Sequence, residues 1–320
     1  MKRDQIGESG IKIILDTDVG SDCDDMLALA CLLRAERDHR AQILAVTHCL
    51  RTEYGPPAIS ASLRYFGRDN IPVGAMEGGA MLSDYYAKRL LERFGNASDM
   101  HPYPNSVSVL REALAASDGG VTLIAIGQFT NIAALIRSSA DSVSDLSGVE
   151  LIRQKCARIV VMGGRFAADK SGVRTPEWNI KWDIDAAKCV FDTAPVPIIA
   201  LPSETGTPIL SGKRLMEKFG DKNPVTHAYF SFLKEEQQRP SWDPTTVIYA
   251  LGLTEDLLVE GPKGRISLDD AGVTCFDPCE DGLHSVLTIR EDKGLPDDVA
   301  LAAGEFIDSY AEGLLDRFCI

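Results

Sequence analysis

Short apolar runs rich in β-branched residues alternate with longer stretches whose apolar positions recur at helical spacing through the first two thirds of the chain. The runs predict strands over 11–16, 42–47, 71–74, 121–126, 157–162 and 196–200. The stretches between predict helices over 24–37, 57–67, 80–94, 106–116, 129–138 and 184–193. Such alternation predicts an α/β fold with a mostly parallel central sheet and helices on both faces. From about 212 the pattern is helical (212–219, 223–237 and 244–251), then gives a small β section over 264–290 bounded by Gly264, Gly272 and Gly282. It closes on a helix over 296–316. No linker, repeat or low-complexity tract interrupts the pattern, so a single domain over 1–320 is expected.

One segment departs from this regularity. After the apolar run Ile13-Ile14-Leu15 come Asp16, Asp18, Asp22, Asp24 and Asp25, followed by the helical pattern that begins Met26-Leu27-Ala28-Leu29. The acids are thereby expected at the carboxyl end of a buried strand, where open α/β sheets bind ligands. Like charges so close together repel unless a cation sits among them, and clustered hard oxygen donors suit Ca²⁺ or Mg²⁺. A solvated turn with Asp24 as helix N-cap would also account for the charges. Such a turn needs no strand as apolar as Ile11-Lys12-Ile13-Ile14-Leu15 before it.

Composition narrows the partners. A formal charge of −14 over 320 residues argues against nucleic acid or an anionic membrane as the main partner. No run approaches a membrane span and the start of the chain has no signal-peptide core, so a cytoplasmic location is expected. The eight cysteines form no CxxC pair and are read as reduced core residues.

Four later segments follow predicted strands or open helices and would converge on the same rim. Ile126-Gly127-Gln128-Phe129-Thr130-Asn131 leads from strand to helix, Val161-Met162-Gly163-Gly164 ends a strand on paired glycines, and Pro176-Glu177-Trp178-Asn179 flanks an aromatic with an acid and an amide. In Trp242-Asp243-Pro244, Asp243 is a candidate N-cap with Pro244 at the first helical position.

In order and spacing the set resembles the nucleoside hydrolase family of the inosine-uridine-preferring type. Asp16-Thr17-Asp18-Val19-Gly20 is similar to its Asp-x-Asp-x-Gly signature, and Asp24-Asp25 stands where its paired aspartates open the first helix. The resemblance implies Ca²⁺-dependent hydrolysis of the N-glycosidic bond of ribonucleosides to ribose and base, with a place in nucleoside salvage. It implies that Asp18, Asp25, the carbonyl of Ile126 and Asp243 hold a Ca²⁺, with Asp18 also the general base on the attacking water. Glu177, Asn179, Met162 and either Asp22 or Asp24 would hold the sugar hydroxyls. The chain departs from the family by its extra acid Asp22 and by Trp242, where many members carry a histidine thought to protonate the leaving base. Purine-preferring members are similar at Trp242, which implies stacking on a purine. A small-molecule nucleoside is the expected partner, with a homo-oligomeric dimer or tetramer as the expected assembly. Tyr85, Tyr86, His48 and Glu204 are further candidates for the base side.

Two other functions start from the same residues. Leu15-Asp16-Thr17-Asp18-Val19 is similar to the haloacid dehalogenase signature, which would make Asp16 a phosphoryl-accepting nucleophile. The lysine and second aspartate pair that this chemistry needs are not suitably arranged after a later strand. A non-catalytic ribose or glycan binder that kept the calcium cage is the third reading, motivated by Trp242 in place of a histidine.

Overall fold

The protein is described by a computed structural model at residues 10–77, 84–168, 171–233, 237–254 and 256–319. Its first half runs β1 (Ile11–Thr17), α1 (Asp24–Arg37), β2 (Ala41–His48), α2 (Gly55–Tyr65), β3 (Val73–Ala75), α3 (Ala87–Phe94), α4 (Ser106–Ala116), β4 (Val121–Ala125), α5 (Thr130–Arg137), α6 (Gly148–Lys155) and β5 (Cys156–Met162). It continues through α7 (Trp178–Lys181), α8 (Ile184–Thr193), β6 (Ile198–Leu201), α9 (Ser203–Gly206), β7 (Leu210–Ser211), α10 (Lys213–Phe219), α11 (Pro224–Phe232), β8 (Arg239–Pro240) and α12 (Trp242–Ala250). The chain then forms β9 (Leu258–Glu260), β10 (Gly264–Leu268), β11 (Thr274–Pro278), β12 (His284–Ile289) and α13 (Pro296–Leu315).

Ten strands make one sheet in the order β11-β10-β12-β6-β5-β4-β1-β2-β3, with β9 alongside β12. From β12 through β3 every neighbour along this order is parallel. Residue alternation along the strands covers both faces. Ile13 and Leu15 of β1 join a core with Val46, Ile124 and Val160 beneath α1 and α12, whereas Ile14 joins Leu123, Ile159 and Ile198 beneath α4, α5 and α8. A parallel strand packed on both sides reads as a continuous apolar run, which is why Ile13-Ile14-Leu15 shows no polar alternation.

The predicted fold class is present, and the differences have local causes. The section over 264–290 is an antiparallel extension of the main sheet, since β12 pairs in parallel with β6 and antiparallel with β10. The helix expected over 80–94 starts at Ala87, after Asp84 turns its carboxylate back onto the N–H groups of Tyr86, Ala87 and Lys88; positions 80–83 lie outside the described residues. The stretch expected over 223–237 is helical only as α11, and 234–236 again lie outside the described residues. Helix α6 was not expected; its start carries a reciprocal Ser147–Glu150 capping box, but only Leu151 and Ile152 supply large buried apolar side chains. The core reading of the cysteines fails at Cys275, which is exposed on β11.

The parallel arrangement brings the carboxyl ends of β1, β4, β5 and β6 to one edge. The chain runs outward from β1 through β2 to β3 in one direction and through β4, β5 and β6 in the other, so the strand order reverses between β1 and β4. A crevice opens at such a switch point.

Candidate active site and metal centre

Asp18 follows β1 and Ile126 follows β4, so the two flank this switch point directly. The N–H of Ile126 donates to the Asp16 carbonyl at 2.9 Å, which ties the two strand ends together. Gly127 permits that approach, because a Cβ there would stand 2.5 Å from Cys49 Sγ and 2.9 Å from Asp18 Cβ. Helix α1 begins with Asp24 and Asp25, whose negative charge complements the positive end of the helix dipole. The residue in the N-cap position is Cys23, so Asp24 does not cap.

The long-range step is the packing of α1 against α12. It sets Asp243, in the first turn of α12, beside the start of α1, with the Asp243 N–H donating to Asp24 Oδ2 at 3.1 Å. Ser241 holds the N-cap position of α12, so Asp243 turns to α1 instead of capping its own helix. Carboxylate oxygens of Asp24, Asp25 and Asp243 lie within 4.8 Å of one another, all three residues buried. Asp18 adjoins them: its N–H donates to Asp25 Oδ1 at 3.2 Å, an oxygen that also accepts from the Thr17 hydroxyl. Asp25 Oδ2 is buried without a hydrogen-bond partner.

Burial pushes the carboxyls of Asp24, Asp25 and Asp243 well above the ordinary range, and their mutual repulsion adds to it. Asp18 is pushed up to about 7, first by burial, with the hydroxyl of Ser21 acting against it and the charge of Asp22 adding to it. A concentration of acids that resists ionisation, all hard oxygen donors with one carboxylate oxygen left unpaired, fits a divalent cation. The Asp24-Asp25-Asp243 triad can hold a metal ion.

Above the acids opens a cavity of about 520 Å³. Asp18, Asp22, Asp24, Ile126, Met162, Glu177, Asn179, Trp242 and Asp243 all line it, while Asp25 lies beneath. Glu177 caps α7, and its Oε2 accepts from the Asn179 N–H at 3.0 Å. Burial raises its carboxyl to about 7 in spite of backbone N–H donors that favour the charge. Asn179 spends its amide nitrogen on the carbonyls of Ile126 and Met162, both at 3.1 Å, which leaves Oδ1 as the acceptor it can offer a ligand. Asp22 is engaged by Arg239, with Nη2 to Oδ2 at 2.6 Å and Nε to Oδ1 at 3.1 Å. The same guanidinium sits 5.2 Å from the ring centroids of both Phe232 and Trp242. Trp242 donates its indole N–H to the Ser203 carbonyl at 3.0 Å.

Other candidates fall elsewhere. His48 is fully buried, its ring nitrogens 3.0 Å from the carbonyls of Val19 and Leu50, and it does not line the cavity. It braces the acidic loop. Glu204 accepts from the N–H groups of Phe166 and Ala167 and also stays out of the cavity lining. Tyr86 is core, while Tyr85 reaches the cavity beside Phe232. Asp16, the nucleophile of the dehalogenase reading, is wholly buried, accepts from Thr47 and Asn131, and is absent from the lining. That chemistry has no access to it. Five lining residues were not foreseen: Ser21, Arg165, Ser203, Phe232 and Arg239. Arg165 directly follows the Gly163-Gly164 turn, and Arg239 lies three residues before Trp242, so proximity to those motifs was the available signal.

Comparison with known proteins adds three results. The family model described as inosine-uridine preferring nucleoside hydrolase matches residues 13–293. Among curated relatives, the pyrimidine-specific ribonucleoside hydrolase RihB of Escherichia coli O1:K1 is 26% identical over 204 residues, covering 59% of this chain and 58% of its own. The chain thus spans less than two thirds of that relative's length. RihA of Salmonella paratyphi B, also a pyrimidine-specific ribonucleoside hydrolase, is 26% identical over 275 residues, covering 75% of this chain and 79% of its own. Among solved structures, the inosine-uridine preferring nucleoside hydrolase from Bacillus anthracis superposes with a TM-score of 0.69 at 19% identity, over 96% of this chain and 99% of that one, a likeness of fold.

Proposed function

Because the chain belongs to the inosine-uridine preferring nucleoside hydrolase family, we propose that it hydrolyses the N-glycosidic bond of ribonucleosides, releasing ribose and free base, with Ca²⁺ as cofactor. The observation that carries this is the meeting of Asp18, Asp24 and Asp25, from the end of β1 and the start of α1, with Asp243 of the distant α12, below a cavity that Glu177 and Asn179 also line. In this reading Asp18, Asp25, the Ile126 carbonyl and Asp243 hold the cation. When bound, it supplies charge compensation for the acids and a hard Lewis acid beside water and the sugar's vicinal hydroxyls.

Asp18 then takes a proton from the water that attacks the anomeric carbon, as a carboxylate lining the cavity can. Glu177 and Asn179 Oδ1 accept from sugar hydroxyls, and the surrounding carboxylates favour the positive charge that grows on the ring as the bond stretches. The Met162 carbonyl orients Asn179. Asp22 is neutralised by Arg239, which favours Asp24 as the second sugar-side acid. Trp242, Phe232 and Tyr85 supply an aromatic wall for the base, the support for a purine preference. Arg239 covers Trp242, so a base would stack against an aromatic and cationic layer instead of a bare indole. None of the five histidines lines the cavity, which leaves the leaving base without an imidazole acid. We take the chain as one unit that self-associates into a dimer or tetramer, a state light scattering would measure.

A panel of purine and pyrimidine nucleosides, incubated with Ca²⁺-loaded protein and assayed for free ribose, tests the proposal. Release of ribose, faster from inosine than from uridine, is expected. Ribose binding without release from any member would favour the non-catalytic binder.

A further inference from the structure

We infer that Arg165 receives a phosphate on the sugar, so that the preferred substrate of this site is a ribonucleoside 5′-monophosphate; this rests on the ribosyl hydrolase reading above. Two arginines line the cavity, and their situations differ. Arg239 is matched by the carboxylate of Asp22. Arg165 pairs with no carboxylate among the described residues. Its Nε donates to Ser203 Oγ at 3.0 Å and its Nη1 to Thr175 Oγ1 at 2.9 Å, both neutral hydroxyls. The nearby Glu204 spends Oε1 on the backbone N–H groups of Phe166 and Ala167, and its Oε2 meets the Ser203 hydroxyl only at 3.5 Å.

The arginine is also anchored through its main chain. Its N–H donates to Thr274 Oγ1 at 2.9 Å, and the same hydroxyl donates to its carbonyl at 2.8 Å; Thr274 is fully buried on β11. A guanidinium has five N–H donors, of which the two hydroxyls take two. The rest form a planar fork held in place before any ligand arrives, the arrangement that matches phosphate oxygens and lowers the ordering cost of binding.

The chemistry of the sugar selects the position of the phosphate. In the proposed reading the 2′ and 3′ hydroxyls face the cation-binding acids, and C1′ carries the bond to be cut. Only the 5′ oxygen of a ribofuranose remains to bear a phosphate. The cavity then divides its charge, with a cation and carboxylates at the floor and, on the wall, a guanidinium held by neutral hydroxyls.

The test titrates Ca²⁺-loaded full chain with ribose 5-phosphate and with ribose by calorimetry, and compares kcat/KM for inosine and inosine 5′-monophosphate. Ribose 5-phosphate is expected to bind at least about tenfold tighter than ribose, as a charge-assisted hydrogen-bonded pair provides. The same preference is expected in kcat/KM. Arg165→Gln should collapse both ratios toward one, and Arg165→Lys should recover part, keeping the charge without the fork. Equal affinity of the wild type for the two sugars overturns the inference. So does a ratio that survives Arg165→Gln in protein that melts as the wild type does, which would assign the phosphate to the cation. Nucleoside hydrolysis would stand in either case. Absence of turnover on every nucleoside and monophosphate would instead remove the hydrolase reading, and the sugar titration would still decide the role of Arg165.

Discussion

Asp18→Ala removes both the proposed base and a proposed ligand of the cation, so kcat/KM on the best nucleoside should fall by at least about 10³-fold, within the range expected for general-base loss. Steady-state ribose release measures it, and wild-type turnover in the variant would move the base elsewhere. Asn179 makes a finer demand. With Nδ2 committed to two carbonyls, Asn179→Ala deletes one acceptor for the sugar and also leaves the Ile126 and Met162 carbonyls short of a donor. Loss of about 10- to 100-fold in kcat/KM is expected, with part of it in kcat because the hydroxyl contact tightens as the ring flattens; an unchanged specificity constant would take Asn179 out of the site. At this scale the motif acids were legible in the sequence because they crowd into ten consecutive positions. The partner that silences Asp22 was not, since Arg239 stands 217 residues away.

At the scale of elements, the site depends on strand ends that approach more closely than ordinary side chains allow. Gly127→Ala would drive a methyl group into Cys49 and Asp18 where β1 and β4 end side by side. Overpacking of this kind costs about 1–3 kcal/mol, so a lower melting temperature is expected together with reduced turnover as Asp18 is displaced. Thermal melts and the ribose assay on one preparation would check it, and a variant equal to wild type in both would deny the tight approach. Strands and long helices were legible because burial on both faces imposes an uninterrupted apolar run and a packed helix imposes its own period. The four-residue α7 was not legible, being too short to show a period, although its cap Glu177 was already a candidate for the site.

For the whole molecule, cation binding and folding are linked, because the acids converge only in the native chain. Chelation should lower the melting temperature, and restoring Ca²⁺ to about 100 times its dissociation constant should add about 2.7 kcal/mol. Metal-free protein also carries a pH signature. Asp16 and Asp18, raised from 3.8 to about 7, and Glu177, raised from 4.5 to about 7, hold their protons more tightly folded than unfolded. Stability from these groups is therefore fully present at low pH and lost as pH rises through about 7. The metal-free melting temperature should drop between about pH 4 and about pH 7, and Ca²⁺ should oppose the drop, since it binds the ionised acids. Differential scanning calorimetry with and without chelator reads both effects. A metal-free protein whose stability rises across that interval would mean that the acids are ionised without a cation.

The order of residues alone sets out the alternation of strands and helices, the acidic loop after the first strand and the family to which they point. These are properties of neighbouring residues, and periodicity and crowding record them directly. Which charges are paired and which are left unmatched emerged from the packing of distant elements. The packing of α12 on α1 turned Asp243 from a cap into a partner of Asp24, and Arg239 closed on Asp22. The buried threonine of an edge strand held Arg165 at the cavity wall without a counter-charge. Neutralisation depends on distance in space, and residues more than a hundred positions apart carry no sign of it in their order along the chain.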